Sequence, residues 1–500
     1  MTNYSVSKSR YCNFIQCPKM LWLKKEKNDL YREDVVNPTL FANGNAVGDL
    51  AMGIFGDFTE VPYGDLSEMI CKTEELLKID TKIIAEASFS YDNCFCSIDI
   101  LRNLGNKDVE FYKVKSSTNV SDIYKDDISY QYFVLTKLGY HVKKASLIYI
   151  DKNYIRQKEL DLNKLFIIQD FTQEAISNLA RVESNIKDMR KYLSQTQEPN
   201  CIVDEHCHSP YNCGFWHYCV GNLPLQNVFN VSGFYQKNKY ECYKNNIISF
   251  NQLLEHPDLL TKNHKMQIEW EIFNKPPFID EKEIRKFMKD LTFPLYFLDF
   301  ESFQPPIPLF ENSRPYQQIV FQYSLHYILE EGGELFHKEF LASPGTDPRR
   351  EFAEQLCKDI PSNGSVIVYN KSFERPRMNE LAALFPDLAP KLKEIVENIK
   401  DLMIPFQKKW YYSKEMEGSH SIKKVLPALF PNDEKLDYSN LDGVHQGGEA
   451  SAAFLEMQNL FQEGSPESLK EIKKKRKELL EYCWLDTYAM VKLWEKLKSI

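Results

Sequence analysis

The chain has 500 residues, 43% of them apolar, enough to bury large cores and to divide into two to four domains. Its net charge of −9 excludes a global basic field that would draw in nucleic acid, so such a partner has to be met by a local groove. No stretch approaches the roughly 18 apolar residues of a membrane span and the N-terminus carries no apolar leader, so a cytoplasmic location with no membrane role is expected. Thiols stay reduced there, and the 12 cysteines read as clustered metal ligands rather than as a disulfide framework.

In chain order, the first feature is a cysteine near the start, in Gln16-Cys17-Pro18-Lys19-Met20-Leu21-Trp22. Residues 83–89 and 96–101 read as two strands of a hairpin turning at Asp92-Asn93. A third strand covers 109–118, and a helix containing Asp127 and Gln131 follows. On the third strand Lys113 and Lys115 point to one face and Glu110 to the other. Farther on, Cys201, Cys207, Cys213 and Cys219 recur with five residues between neighbours.

One early cysteine, three late ones and a Glu86…Asp99…Lys113-x-Lys115…Gln131 series resemble the RecB-like iron–sulfur nucleases of the PD-(D/E)XK superfamily. The resemblance implies a restriction-endonuclease-like domain over 1–220, its ends stapled by a [4Fe–4S] cluster on Cys17, Cys207, Cys213 and Cys219. It matches Asp99 to the metal-binding Asp and Lys115 to the motif lysine. The position of the second acid holds Lys113, a cation where a metal ligand belongs. A crippled site is therefore expected, with Glu86 as a partial substitute and Lys113 and Lys115 suited to holding a phosphate. Cys12, Cys201, His206, His208 and His217 compete as metal ligands; a Cys/His zinc site or buried free thiols stay open. Residues 221–290 carry short helical patterns and read as a small helical connector, with Pro276, Pro277 and Pro294 bracketing the approach to a last domain over 291–500.

That last domain holds three acidic segments. Asp299 and Glu301 are two apart in an apolar strand, so one face carries both. Glu374 follows a buried strand, 365–369, at a turn into a helix. Tyr482 and Asp486 are four apart on a helix and share a face. Each motif alone also reads as ordinary structure: a strand end, a helix start, a core tyrosine beside a surface acid. Together they would crowd four carboxylates. Two carboxylates about 4 Å apart at an effective dielectric of about 20 repel by roughly 4 kcal/mol, so shared protons or cations are needed.

The three segments resemble the motifs of the DnaQ-like, DEDD-type 3′–5′ exonucleases in their tyrosine form, although that family usually has Asp where Glu374 stands. The resemblance implies an RNase H-like fold and two Mg²⁺ or Mn²⁺ ions on Asp299, Glu301, Glu374 and Asp486, with Tyr482 orienting a water. Asp401 is a further candidate, or a helix-surface acid. Residues 418–427, with the tyrosine motif, resemble a bacterial domain of unknown function often found after a RecB-like domain. There Ser419, Ser421, Lys423 and Lys424 could hold phosphates, or Ser421 could simply cap a helix whose Ile422, Val425 and Leu426 face a core. Residues 408–412 mix lysines with aromatics that could stack bases, while 473–477 read as a solvated basic face. The expectation is an α/β nuclease acting on DNA, or on RNA, with a nucleic-acid-binding accessory lacking catalysis as the alternative.

Overall fold

The computed structural model describes residues 5–32, 38–361 and 363–500. The chain divides into two units, Met1–Asn222 with Pro305–Tyr316, and Leu223–Gln304 with Gln317–Ile500. Both mix helices with a sheet. The stretch read as a connector, 221–290, falls almost entirely in the second unit. Its helices Gln236–Lys244, Phe250–Leu254 and Lys262–Phe273 nevertheless have a small core of their own, built on Val228, Phe250, Leu253 and Ile268. The loop after the Asp299 strand, rich in proline, belongs to the first unit. There the Arg156 guanidinium donates to the Pro308 carbonyl (2.8 Å), and Ile307 and Tyr316 join an apolar cluster.

The first unit carries a seven-stranded sheet of β1 (Val6–Ser7), β2 (Thr59–Glu60), β3 (Ile83–Tyr91), β4 (Cys94–Gly105), β5 (Asp108–Lys115), β6 (His141–Ile150) and β7 (Phe166–Asp170). The path runs from β2 to β7 in sequence order, with β1 beside β4. β3 and β4 form the expected hairpin. Asp92 and Asn93 turn it with φ of 47° and 59°, the left-handed conformation that a two-residue turn needs and that Asp and Asn tolerate. β5 and β6 are parallel, so a crossover is required, and helix Asp122–Lys137 supplies it. That helix packs with Lys8–Gln16 and Thr172–Leu193 on one side of the sheet.

The second unit has a ribbon of β8 (Phe278–Ile279) and a main sheet of β9 (Leu295–Phe303), β10 (Ile319–Ile328), β11 (Leu335–Leu341), β12 (Ser365–Val368) and β13 (Ile399–Asp401); β14 (Tyr411–Tyr412) completes the ribbon with β8. The main sheet has the order β11-β10-β9-β12-β13, antiparallel from β11 to β9 and parallel from β9 to β13. Alternation along β9 sorts its side chains between two cores. Tyr296, Leu298 and Phe300 meet Phe352, Leu356 and Leu381, while Leu295 and Phe297 meet Leu485, Ala489 and Trp494 of helix Pro466–Lys498. Asp299 and Glu301 continue the second face. Pairing of β12 with β9 ends at Ile367 and Phe297, so both acids lie beyond it, where the chain after β12 turns into helix Lys371–Leu384. No described helix is long and apolar enough to cross a membrane.

The junction of the two central strands is tight. Thr292 and Ser365 exchange hydrogen bonds of 2.9 Å, and a Cβ added at Gly364 would sit 2.0 Å from the Pro294 carbonyl oxygen. Gly364→Ala must push the starts of β9 and β12 apart. A loss of about 1–3 kcal/mol is expected, the usual cost of overpacking. Urea unfolding measures it as a lower midpoint at constant slope; a midpoint equal to wild type would mean that the junction yields freely.

Candidate functional site

Asp299, Glu301 and Asp486 each bring a carboxylate oxygen to one spot, all within 4.8 Å of one another. Glu301 and Asp486 are buried and Asp299 is half-buried. Burial raises the Asp299 and Glu301 carboxyls well above their ordinary range, and neighbouring acids add to it: Asp486 acts on Asp299, and Asp299 and Asp486 act on Glu301. Asp486 is pushed up by burial to about 6, with Lys423 and the hydroxyl of Tyr438 pulling the other way. Glu374 is 1% exposed, is raised by burial and by Asp299, and its Oε2 has no hydrogen-bond partner among the described residues.

The elements around these acids are pinned by ordinary hydrogen bonds. Tyr438 donates to Asp486 Oδ1 at 2.6 Å. Thr487, next in the helix, lies 2.7 Å from Ser324 Oγ and 2.8 Å from His326 Nδ1, both on β10; Gln322 on the same strand donates to the Leu479 carbonyl at 2.7 Å. Helix Pro466–Lys498 is thereby fixed to the sheet above and below Asp486. Asp401 accepts the backbone N–H groups of Asn370 (3.0 Å), Lys371 (3.1 Å) and Met403 (3.0 Å). It therefore caps the helix that carries Glu374, which starts at Lys371, three residues before the expected position, with Asn370 in the left-handed region (φ 83°). Asp401 is a positioning residue, with both carboxylate oxygens accepting backbone N–H groups.

Tyr482 lies above the acids, with its phenol pushed up by burial and by Asp486, Glu301 and Asp299, so it is neutral. The Lys423 ammonium is 3.4 Å from its hydroxyl, 5.2 Å from its ring and 5.0 Å from the Tyr438 ring, and donates to the His445 carbonyl. Lys423 thus faces the acids, whereas Lys424 pairs with Glu417 at 2.7 Å on the surface. Ser421 occupies the cap position of helix Ile422–Leu429 without a side-chain capping bond, and Val425 and Leu426 are buried beneath it.

The first unit resolves the same kind of problem differently. The Lys113 ammonium pairs with Asp99 Oδ1, and Asp99 Oδ2 accepts the Val114 N–H at 2.6 Å. Lys115 is 3.1 Å and Lys8 3.7 Å from Asp127, which Gln131 also meets at 2.6 Å. Burial opposes the charge of Asp127, but Lys8, Lys115 and Lys113 outweigh it and hold the carboxyl below its usual range. Glu86 leaves the β3–β4 ladder at φ 55° and accepts the Ser97 hydroxyl at 2.7 Å. Asp99 and Asp127 are thus already matched by cations, whereas Glu86 has the Ser97 hydroxyl.

Cys17, Cys201, Cys207, Cys213, Cys219 and His206 line one small pocket. Cys17 and Cys201 are 3.8 Å apart and Cys201 is 3.6 Å from His206 Nε2, so the tightest group includes two residues outside the expected four-cysteine set. The hydrogen bond from Cys201 lowers the Cys17 thiol to about 6, the thiolate character that metal binding uses. Cys12 lies elsewhere, near Asp127, and His208 meets Asn212 and Trp216.

Residues 296–421 match a family model described as a domain of unknown function (DUF2779). The DUF2779 region contains Asp299, Glu301, Glu374 and Asp401; Lys423, Tyr438, Tyr482 and Asp486 lie beyond it. Uncharacterized protein MG366 of Mycoplasma genitalium is 25% identical over 358 residues, 61% of this chain and 53% of that protein. Its homolog in Mycoplasma pneumoniae is 25% identical over 399 residues, 67% of this chain and 59% of that one. Uncharacterized protein UU173 of Ureaplasma parvum is 33% identical over 144 residues, 27% and 21% of the two chains. The chain spans about half to three-fifths of the two longer matches. No solved structure gives a significant match.

Sequence reasoning missed Tyr438 and the place of Lys423 beside Tyr482. Tyr438 sits in a short turn between helices, with no periodic or motif signal to single it out.

The raised carboxyls give a pH dependence. Their folded pKa values exceed the unfolded ones, so between about 4, the ordinary carboxyl value, and about 6, where Asp486 titrates, the folded state holds more protons. Stability then falls as pH rises through that window and beyond it for the higher acids. In EDTA the melting temperature is expected to fall on going from weakly acid to weakly alkaline pH, to be restored by Mn²⁺ or Mg²⁺, and to fall less in Asp299→Asn. Identical pH profiles for wild type and Asp299→Asn would show that the acids do not carry this strain.

Proposed function

We propose that the second unit is a divalent-metal-dependent nuclease, acting as a 3′–5′ exonuclease on single-stranded DNA ends. The observation that carries this reading is the meeting of Asp299, Glu301 and Asp486 within 4.8 Å, with the partnerless Glu374 Oε2 beside them. A buried carboxylate oxygen without a donor fits a cation, and an all-oxygen set fits Mg²⁺ or Mn²⁺. The mixed sheet, with helices on both faces and acids on its central strand just beyond the pairing with β12, supports the RNase H-like reading. Two such ions would supply Lewis-acid charge to the attacking and leaving oxygens of an in-line displacement.

The chain's own groups prepare the rest. Asp299 and Glu301 come from one strand face and Asp486 from the facing helix, and these residues would hold the metal. Tyr438 fixes the Asp486 carboxylate in one orientation. Tyr482, kept neutral, offers its O–H to orient a water. Lys423 offers an ammonium to a non-bridging phosphate oxygen. Asp401 sets the helix start that aims Glu374.

The first unit reads as a nucleic-acid-holding domain. Its Lys113–Asp99 pair stands where a metal would be bound, which supports loss of cutting there. The cysteine pocket suits soft metal chemistry. We assign it a [4Fe–4S] cluster on Cys17, Cys207, Cys213 and Cys219; the closeness of Cys17, Cys201 and His206 favours zinc as the second reading.

End-labelled single-stranded DNA with Mg²⁺ tests the main reading. Asp299→Asn and Glu301→Gln are each expected to lower cutting by more than about 100-fold, the upper range for outer partners of a metal site, and Tyr438→Phe by about 10–100-fold. Asp99→Asn is expected to leave cutting intact. Equal label loss by wild type and Asp299→Asn rejects the assignment, and loss only in Asp99→Asn moves the activity to the first unit. For the cysteine pocket, purified protein is expected to be brown and to retain iron and sulfide in Cys201→Ser; a colourless zinc protein that loses its metal in Cys201→Ser establishes the zinc reading.

A further inference from the structure

A second pocket in the second unit, of about 620 Å³, has walls from helix Lys262–Phe273 and the segment around Lys409, and takes no part in the carboxylate site. Its volume is in the range of small-ligand sites, about 300–1,000 Å³. We propose that this pocket holds one nucleotide of a single nucleic-acid strand, phosphate on lysines and base on aromatic rings, outside the catalytic acids. The inference rests on the nuclease reading for the identity of the strand but not on any chemical step.

Charge is the first argument. Four lysines line the pocket against two acids, in a chain whose net charge is −9. Both acids are committed: Glu269 pairs with Lys275 at 2.6 Å, and Asp280 accepts the Glu283 N–H as a helix cap. Lys262, Lys265 and Lys408 have no ion pair among the described residues. Their ammonium groups are therefore available to an outside anion.

Shape and rigidity are the second. β8 and β14 pair through Phe278 and Tyr412, and the Asp280 N–H donates to the Trp410 carbonyl at 2.7 Å. Phe278 and Trp410 are thus set on a fixed ribbon. Trp270 meets Phe278 edge-on at 6.1 Å, and its indole N–H is used by the Pro276 carbonyl at 2.8 Å, which holds the ring in place. Lys409 is buried, bends the chain at φ 55°, and donates to the Asn263 carbonyl at 2.9 Å, tying this ribbon to the helix. Three partly exposed aromatic rings beside unpaired lysines form the combination that holds single strands: stacking is tolerant of base identity, and ammonium groups track the backbone. A neutral sugar would leave the ammonium groups unmatched.

The test uses the full chain in EDTA, so that binding is read without cutting. The probe is a fluorescein-labelled thymidine oligonucleotide of about 12 residues, within the usual footprint of such sites. The triple variant Lys262→Gln/Lys265→Gln/Lys408→Gln alters only side chains without a described ion pair, and an unchanged melting temperature verifies its fold. Anisotropy is expected to show at least tenfold weaker binding by the variant. The slope of log affinity against log salt should shrink by about 0.7, the contribution of one phosphate contact on a single strand. Equal affinity and equal slope overturn the proposal. Thymidine monophosphate competing as well as the oligonucleotide would assign the pocket to the free nucleotide instead of a strand. Cutting of end-labelled DNA is scored separately: loss of binding in the variant with no cutting by wild type rejects the nuclease reading alone, and cutting with unaltered binding rejects the pocket alone.

Discussion

Like charges buried together are the constraint on which the second unit is organised. Asp299, Glu301 and Glu374 have their proton affinity raised by burial and by neighbouring acids, Asp486 by burial, and Lys423 acts as a counter-charge on Asp299, Glu301 and Asp486. A fold tolerates this only if other contacts hold the elements in place. The double core around β9 supplies the bulk of that hold, one face packed on Phe352, Leu356 and Leu381 and the other on helix Pro466–Lys498. Thr487, Ser324, His326 and Gln322 then fix the helix at the level of the acids.

The first unit shows the opposite solution within the same chain. Its acids Asp99 and Asp127 are also buried or nearly so, but Lys8, Lys113 and Lys115 reach them. The charges are matched inside the protein, where removal of either partner would leave an unpaired buried charge. The lysine at position 113, whose ammonium pairs with Asp99, accounts for much of the difference. The two units thus differ: the second crowds carboxyls whose proton affinity is raised, while the first presents charge pairs on its sheet.

Much of this was legible from residue order. The period of two along β9 put Asp299 and Glu301 on one face, the period of the helix put Tyr482 and Asp486 together, and the turn chemistry of Asp92-Asn93 located the first hairpin. The lysine at 113 was readable as a cation facing Asp99, because strand alternation fixes direction. What stayed hidden came from distance in the chain. Tyr438 has no repeating neighbourhood, and its bond to Asp486 spans 48 residues. Asp401 looked like either a site acid or a surface acid; three backbone N–H groups from two separate turns gave it a capping role. Cys201 and His206 were visible as candidates, but not their closeness to Cys17.

Local pattern by itself determined the hairpin of β3 and β4, the strands carrying Lys113 and Asp299, the helix carrying Tyr482, and which face Asp299, Glu301 and Asp486 take, since those follow from backbone geometry within a few residues. It also determined that the chain is α/β and that its cysteines cluster. Only tertiary packing decided that helix Pro466–Lys498 lies across β9 so that Asp486 meets Asp299, that Lys423 turns toward Tyr482 while Lys424 turns to Glu417, and that Lys262, Lys265 and Lys408 gather around one pocket. The physical reason is that such meetings depend on burying apolar faces far apart in sequence, a sum over the whole core that no short segment contains.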